Sequence, residues 1–139
     1  MKHGLLAVAL AVLGAAAPRE SVQLETGKLM WTRVDVAGLP KGLKSKSLHN
    51  DPKGPSSSAL IRYPRGYREP RHYHETCTHT IYVLKGRLKT PDGELTPGTF
   101  LFSAKGERHG PIVALEESEI LFHTQGPFDF LVDDPEAKK

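Results

Sequence analysis

The sequence predicts an all-β protein, and three observations support this fold class. The chain of 139 residues contains thirteen Gly and eleven Pro, spread between short apolar runs. Those runs are rich in β-branched and aromatic residues, which favour strands, and no sustained helical repeat follows the first residues. Short strands at regular spacing, separated by turn-forming residues, are typical of a sandwich or barrel. With 38% apolar residues, the chain is long enough for one domain with a core and too short for two.

The first residues have the layout of a secretory signal peptide. Lys2 gives a basic start, an apolar run extends from Leu5 to Leu13, and small residues follow. We predict cleavage after Ala16, which makes residues 1–16 the signal peptide and residues 17–139 the mature domain. An uncleaved anchor helix is the alternative, but about 13 apolar residues are fewer than the roughly 20 that cross a bilayer. We therefore expect a periplasmic or secreted protein with no stable membrane anchor.

The rest of the chain alternates between strand-like runs and turns. We predict strands at residues 28–36, 43–48, 59–63, 79–85, 87–90, 99–103, 111–115, 118–124 and 128–132. Turn formers separate them at residues 50–57, 91–93, 97–98, 105–106 and 126–127. The polar loop at residues 50–57 is too short to link two domains, so a single domain is expected.

Charge and cysteine content argue against a nucleic-acid partner and an intramolecular disulfide. The formal net charge is only +3, and the basic residues neither cluster nor interleave with aromatic residues. A nucleic-acid partner is therefore not expected. Cys77 is the single cysteine, so the chain has no intramolecular disulfide and its fold must depend on an apolar core. A ligand or redox role for Cys77 stays open, although a small buried side chain is the reading that general burial preferences favour.

Four of the seven histidines fall in two short clusters. His72, His74 and His79 lie just before or within an apolar strand-like run, and His109 lies in the sequence GERHGP. In an extended strand His72 and His74 would point to the same face, as two ligands of one ion must. His79 and His109 would come from neighbouring strands or turns and close the site. The pattern predicts a metal site, since imidazole nitrogens bind ions such as zinc at about 2.0–2.1 Å.

The spacing around these histidines resembles that of a known superfamily. Gly66, five residues, His72-Tyr73-His74, four residues, His79, six residues and Gly86 are similar to the first motif of the cupins. Residues 93–109 resemble the second motif, and the resemblance covers about residues 57–130. It implies a small cupin-type jelly-roll β-barrel that binds a divalent metal ion.

The resemblance also implies which residues bind the ion. His72, His74 and His109 stand at ligand positions of the two motifs. His79 stands where cupins usually have glutamate, and some cupins use four histidines, so we predict His72, His74, His79 and His109 as the metal ligands. Ala104 stands where the second motif usually has proline.

The chemistry of four imidazoles leaves the metal undecided among iron, manganese, zinc, nickel and copper. Four neutral ligands leave the full charge of the ion uncompensated, so the centre should favour anionic oxygen donors. An octahedral ion would keep two open positions for a chelating substrate, or for substrate plus dioxygen.

Two classes of function follow. The first is an exported metal-dependent enzyme, a dioxygenase-type oxidoreductase that acts on a small oxygen-bearing substrate. The second is a non-catalytic extracytoplasmic cupin that binds or senses a small molecule or metal. The sequence identifies no general base.

The sequence also gives expected positions for several residues other than the predicted metal ligands. Arg62, Tyr63, Tyr82 and Phe102 are candidates for the pocket wall, depending on which strand faces point inward. His49 and His123 match no motif and are expected at the surface or core edge, with a place beside the cavity as the alternative for His123. A homodimer is expected because exposed strand edges favour association.

Overall fold

The structure is a computed structural model that describes residues 21–51 and 54–138. The predicted signal peptide, residues 1–16, lies outside the described residues. Within the described part of the chain, no helix has the length and apolar character needed to cross a membrane.

The described residues form twelve strands and two short 3₁₀ helices, which confirms the all-β prediction. The strands are β1 (Thr32–Arg33), β2 (Lys44–Asn50), β3 (Ser56–Tyr63), β4 (Arg68–Glu69), β5 (His72–Tyr73), β6 (Thr78–Lys85), β7 (Leu88–Thr90), β8 (Gly93–Leu95), β9 (Phe100–Ser103), β10 (Ile112–Ala114), β11 (Ser118–Gln125) and β12 (Leu131–Val132). The 3₁₀ helices are Thr26–Lys28 and Pro135–Lys138.

The strands form two larger antiparallel sheets and one small one. The first sheet has six strands in the order β1-β2-β3-β11-β6-β9, and the second has four in the order β4-β10-β7-β8. Strands β12 and β5 form a two-stranded sheet. Because β11 lies between β3 and β6, most pairings join segments that are distant in sequence, which is how a jelly roll is built.

The core lies between the two larger sheets. Its members lie in strands of both sheets or, for Leu43 and Tyr67, directly before a strand: Leu43, Tyr63, Tyr67, Ile81, Val83, Leu88, Leu95, Ile112, Ala114 and Ile120. Strand β6 shows the alternation that produces this core, because His79, Ile81 and Val83 are buried while Tyr82 and Leu84 are exposed on the opposite face. The same alternation directs His79 towards the interior.

The structure corrects several predicted boundaries. Only Thr32–Arg33 of the predicted strand 28–36 pairs, and Thr26–Lys28 forms a 3₁₀ helix instead. The residues that gave this segment its strand composition pack against the sheet instead of extending it: the Trp31 ring lies over the Arg62 guanidinium at 4.0 Å. The predicted loop 50–57 is shorter, because β2 continues to Asn50 and β3 begins at Ser56.

Candidate metal centre

The candidate metal centre is built from the short strand β5, the start of β6 and the loop before β10. His72 lies in β5, His74 follows it directly, and His79 is the second residue of β6. His109 is brought to them by the main chain, because its N–H donates to the carbonyl of His72 at 2.9 Å and its carbonyl accepts from the N–H of His72 at 3.0 Å. The two motifs are therefore joined at the histidines themselves.

The imidazoles of His72, His74 and His109 meet at one point. Each offers a ring nitrogen, and these nitrogens all lie within 4.8 Å of one another. Ligands at about 2.1 Å from one ion are separated by about 3 Å when adjacent and about 4.2 Å when opposite, so this spacing needs little adjustment. The ring of His79 lies 4.8 Å from the rings of both His74 and His109, but His79 does not belong to that 4.8 Å group.

Backbone carbonyls fix the tautomer of the same three rings. Nδ1 of His72 bonds the carbonyl of Pro70 at 2.8 Å, Nδ1 of His109 bonds that of Glu107 at 3.0 Å, and Nδ1 of His74 bonds that of Asp129. A carbonyl oxygen can only accept, so each Nδ1 carries the proton and each Nε2 keeps its lone pair. This arrangement is typical of metal-binding histidines.

Unpaired nitrogens show that the residues fit a metal ion. Nε2 of His74, Nε2 of His109 and Nδ1 of His79 are buried and have no hydrogen-bond partner among the described residues. A buried polar atom without a partner costs about 1–3 kcal/mol. A divalent ion bound by the Nε2 lone pairs would offset this cost, and imidazole nitrogen suits zinc, copper, nickel and iron.

Burial favours the neutral, metal-binding form of His72, His79 and His109. Burial, with the nearby His109 as the next cause, lowers the pKa of His72 to about 3. The pKa of His79 is lowered to about 3 in the same way, and burial also lowers the pKa of His109. A proton therefore competes weakly with a metal ion at these rings.

A buried carboxyl that the sequence analysis did not select lies beside the histidines. Oε1 of Glu69 is 3.3 Å from Nε2 of His72, and its Oε2 accepts a 2.7 Å hydrogen bond from the Tyr63 hydroxyl. Burial raises the pKa of Glu69 to about 7, while the hydrogen bond from Tyr63 opposes that shift. Its sequence signal was the presence of an acid three residues before an HxH pair.

An apolar cavity of about 200 Å³ borders the centre. His72, His74, His79 and Glu69 form one part of its wall. The remaining lining is mostly apolar and comes from Val34, Val36, Leu39, Leu43, Ser45, Ser57, Ala59, Ile61, Tyr63, Ile81, Phe122, Phe128 and Phe130. Ligand sites commonly combine such a lining with a few polar groups, so the cavity suits a small, partly apolar molecule.

The other expected residues take different places. Tyr63 lines the cavity, whereas Arg62, Tyr82 and Phe102 do not, because their strand positions direct them to the outer face. His123 is also on the outer face, where Nδ1 meets the Ser58 hydroxyl at 2.9 Å, so the surface expectation is correct.

Cys77 belongs to the loop beside the centre. It is fully buried and lies with His74 and Asp129 in a second group whose candidate ligand atoms are within 4.8 Å of one another. The Asp129 carboxylate already accepts hydrogen bonds from the backbone N–H groups of Glu75 and Thr76, at 2.7 and 3.2 Å. We interpret this second group as a structural clamp that holds the loop between the two histidine positions.

The sequence matches one family model. That family is described as the ChrR cupin-like domain, and the match covers residues 19–129, which is more than half of the chain. No curated protein sequence matches the chain.

Solved structures with the same fold include enzymes. An acetylacetone dioxygenase from Acinetobacter johnsonii is 21% identical, with a TM-score of 0.67 over 86% of this chain and 82% of that one. A putative acetylacetone dioxygenase from Methylibium petroleiphilum is 17% identical, with a TM-score of 0.69 over 88% of both chains. The polyketide cyclase RemF from Streptomyces resistomycificus is 21% identical, with a TM-score of 0.66 over 82% of this chain and 86% of that one. These similarities confirm the predicted jelly-roll fold, and coordination of one ion by all four histidines stays a prediction.

Proposed function

We propose, from the premise that this chain belongs to the ChrR cupin-like family, that it is a metal-dependent enzyme of the oxygenase type. Its substrate is a small, partly apolar compound that carries oxygen atoms. The observation that carries this proposal is a group of convergent imidazoles beside an apolar cavity of about 200 Å³. His72, His74 and His109 would hold the ion, with His79 as the fourth ligand expected from the sequence.

The side chains around the cavity are the chain's own contribution to the proposed reaction. A bound divalent ion would supply a Lewis acid that polarises an oxygen atom of the substrate. The rings of Phe122, Phe128 and Phe130 exclude water and contact the apolar part of the compound. Phe130 also stacks on His72 with 4.2 Å between ring centroids, so it limits the orientation of that ring.

Glu69 is the residue that we expect to handle a proton. Among the described residues that line the cavity it is the one acid, and its Oε1 lies beside the His72 nitrogen that would bind the ion. A compound bound next to the histidines would therefore meet this carboxylate, which can accept a hydrogen bond and then a proton at Oε1. The Tyr63 hydroxyl holds the opposite oxygen and keeps the carboxyl in place.

The structural neighbours support the choice of compounds for a first test. Two of them are described as acetylacetone dioxygenases, one of which is putative, and a third as a polyketide cyclase. Acetylacetone is small, has apolar ends and carries two oxygen atoms, so its size and chemistry agree with the cavity. Diketones are therefore the first class to test, followed by catechols and thiols.

The alternative is a non-catalytic cupin that binds a small molecule or metal. The apolar lining, with a single carboxyl among the residues around the cavity, favours it, because binding alone needs no more polar groups than these. Tight binding without turnover would distinguish this alternative from the enzyme.

The decisive experiment combines metal loading with oxygen consumption. The protein is loaded separately with iron(II), manganese, zinc, nickel and copper, and dioxygen uptake is followed with each compound. Uptake that requires one metal and is lost in His74→Ala supports the proposal. The matched control is His123→Ala, which removes an outer-face histidine and should keep the activity. Absence of uptake with every metal and compound would contradict the enzymatic proposal.

We also propose that the protein acts outside the cytoplasm, in the periplasm or after secretion. The basic start, apolar run and small residues of positions 1–16 support this proposal. Cell fractionation followed by N-terminal sequencing of the mature protein tests it, with an expected first residue of Ala17. An intact N-terminus in the cytoplasmic fraction would contradict it.

A further inference from the structure

A groove of about 520 Å³ borders the metal centre at His109 and is separate from the apolar cavity. Of the described residues that line the two spaces, only Ile81 belongs to both. His109 lines the groove, whereas His72, His74 and His79 line the cavity. The groove is therefore a second space beside the histidines, and the proposed function does not use it.

Arg71 lines this groove with a half-buried side chain. Its main chain is held on both sides, because its N–H donates to the Asp134 carboxylate at 3.0 Å and its carbonyl accepts from the N–H of Asp133 at 2.9 Å. The guanidinium, in contrast, makes no hydrogen bond or ion pair with any described residue. A fixed main chain that carries an unpaired guanidinium is preorganised to bind an anion.

The missing partner distinguishes Arg71 from the other arginines of the described chain. Arg108 lines the same groove, but its guanidinium donates to the Asp133 carboxylate at 2.7 Å. Arg33 and Arg65 also lack a carboxylate partner, but both are exposed to solvent. A charged group is seldom removed from water without a partner, so the half-buried Arg71 indicates a ligand.

A second unpaired polar group lines the groove. Ser103, the last residue of β9, is only 4% exposed. Its hydroxyl faces the groove and has no hydrogen-bond partner among the described residues. The hydroxyl is therefore available to donate to a ligand oxygen, as the Arg71 guanidinium is.

The acidic residues of the groove do not neutralise Arg71. Glu94 is paired with Arg87 at 3.5 Å, and Glu107 accepts a hydrogen bond from a backbone N–H at 3.4 Å. Asp92 lies in the turn between β7 and β8. All three acids are exposed, so solvent and salt screen their charges. The sheltered part of the groove therefore offers a cation and a hydroxyl.

The inner lining of the groove is apolar and includes Ile81, Leu95, Leu101 and Ile112. An inorganic anion would leave these side chains without a contact, whereas an organic carboxylate would pack its hydrocarbon part against them. A guanidinium binds a carboxylate through two parallel hydrogen bonds. The volume of the groove also lies within the range of about 300–1,000 Å³ that is usual for small-molecule sites.

We propose that this groove is a binding site for a small organic carboxylate. Arg71 holds the carboxylate group, Ser103 donates to a ligand oxygen, and Leu101 and Ile112 contact the hydrocarbon part. Because His109 lines the same groove, the bound ligand lies next to the metal centre without entering the cavity. Binding requires neither metal nor turnover, so it can be tested separately from the proposed enzymatic function.

The test titrates the protein with acetate, propanoate, butanoate and pentanoate and follows the amide chemical shifts by NMR. Butanoate should shift the signals of Arg71, Ser103 and His109. The dissociation constant should fall by up to about fourfold for each added methylene group, as burial of hydrocarbon predicts. Butanamide, the matched neutral compound, should bind at least about tenfold more weakly. Butanoate should bind both the metal-free and the zinc-loaded protein.

Two variants test the two donors. Arg71→Gln should raise the dissociation constant of butanoate by at least about tenfold, and Ser103→Ala by at least about threefold. The matched control is Arg65→Gln, which removes an exposed guanidinium that also lacks a carboxylate partner and should leave the constant unchanged. Circular dichroism and zinc content should match those of the wild type in all three variants.

Four results would overturn the proposal. Butanoate binding that requires zinc would place the carboxylate on the ion instead of in the groove. Equal binding of butanamide would show that no cation recognises the ligand. Sulfate that binds as tightly as pentanoate would show that the apolar lining contributes nothing. Unchanged binding in both Arg71→Gln and Ser103→Ala would place the carboxylate outside the groove.

Discussion

The individual imidazoles of the metal centre are oriented by groups that do not themselves bind metal. Three backbone carbonyls hold the Nδ1 protons of His72, His74 and His109, which leaves each Nε2 free to bind an ion. Side-chain substitutions cannot remove these carbonyls. We therefore expect the three rings to keep their orientation when residues around the cavity change.

Glu69 gives the first prediction at this scale. Glu69→Gln keeps the shape of the side chain and its contact with Tyr63 but removes the proton acceptor. We expect turnover to fall by about 10²–10⁴-fold, the range for loss of a general base, with metal content unchanged. Steady-state kinetics and elemental analysis measure the two quantities. Tyr63→Phe is the matched control and should have a smaller effect, since it removes only the group that holds Glu69.

A loss of metal from Glu69→Gln that accounts for the whole loss of turnover would contradict the proton-accepting role. Unchanged turnover would do so as well.

His79 gives the second prediction. A carboxylate at this position would favour ions that prefer oxygen ligands, so His79→Glu should keep the metal but shift its preference towards manganese. The measurement is elemental analysis after exposure to an equimolar mixture of the five candidate metals. His123→Glu on the outer face is the control. Unchanged content and selectivity would show that His79 does not bind the ion.

The sequence predicted the histidines but not the carboxyl beside them. The spacing of His72, His74 and His109 can be recognised in the sequence as a metal-binding pattern. The only sequence signal for Glu69 is its position three residues before His72, and that position specifies no role, because the role depends on burial against Tyr63 and on the orientation of the neighbouring ring, which are consequences of folding.

At the scale of elements, tight turns decide where the strands can pair. Gly86 follows β6 with φ +83°, and a side chain there would approach the Ser118 Cα to 2.6 Å. Gly66 has nearly the same backbone angle, φ +82°, but open space around the missing side chain. A comparison of substitutions at the two positions therefore separates the cost of backbone strain from the cost of crowding.

The third prediction uses this pair. Gly66→Ala should reduce the free energy of unfolding by about 1–2 kcal/mol, the cost of a left-handed conformation for an L-residue. Gly86→Ala should cost about 1–3 kcal/mol more, because the added carbon also collides with β11. Urea unfolding of both variants measures the difference. Equal destabilisation would contradict the role of crowding at Gly86.

The fourth prediction concerns the attachment of the C-terminal segment to β4 and β5. The Arg68 guanidinium, with help from the backbone N–H groups of Arg71 and Glu136, lowers the pKa of Asp134 to about 2. This folded-state pKa lies below the ordinary value of 3.8. The ionised Asp134 carboxylate therefore stabilises the folded state, and this contribution is fully present above about pH 4. It is lost as the pH falls through about 2.

Asp134→Asn should therefore lower the thermal midpoint at pH 5 and show a weaker dependence on pH between 5 and 2 than the wild type. Asp133→Asn is the control, since it removes only the half-exposed ion pair with Arg108. Parallel pH curves for wild type and Asp134→Asn would contradict the prediction.

Two of the predicted strands agree closely with strands of the structure. Residues 79–85 and 118–124 differ from β6 and β11 by one residue at one end. The short strands β4 and β8 were missed because their sequences, Arg68–Glu69 and Gly93–Leu95, carry no strand composition. They pair because the fold brings the three-residue strands β10 and β7 beside them, as Ile112 of β10 pairs with Glu69 of β4.

At the scale of the whole molecule, metal binding and folding are linked. The centre joins two motifs and the segment that carries Asp129, so an ion that binds only the folded state stabilises all of them together. A chain that lacks one of these parts would lack either a candidate ligand or the Asp129 carbonyl that bonds the His74 ring.

The fifth prediction follows from this linkage. At a free metal concentration 100 times the dissociation constant, the ion should add about 2.7 kcal/mol to the free energy of unfolding. For a chain of this size, chelation should lower the thermal midpoint by on the order of 5–10 °C. Differential scanning calorimetry with and without chelator measures the shift. The His74→Ala variant should show almost none, and an equal shift in that variant would contradict the link.

The paired main-chain hydrogen bonds between His72 and His109 also determine when the protein can acquire its ion. During synthesis, the ribosome releases His72 and His74 well before His109, and Asp129, whose carbonyl orients His74, emerges later still. A partly made chain therefore offers only scattered, misoriented imidazoles. A chain whose ligands converge only on folding would therefore bind its ion after translation, in the compartment where folding is completed.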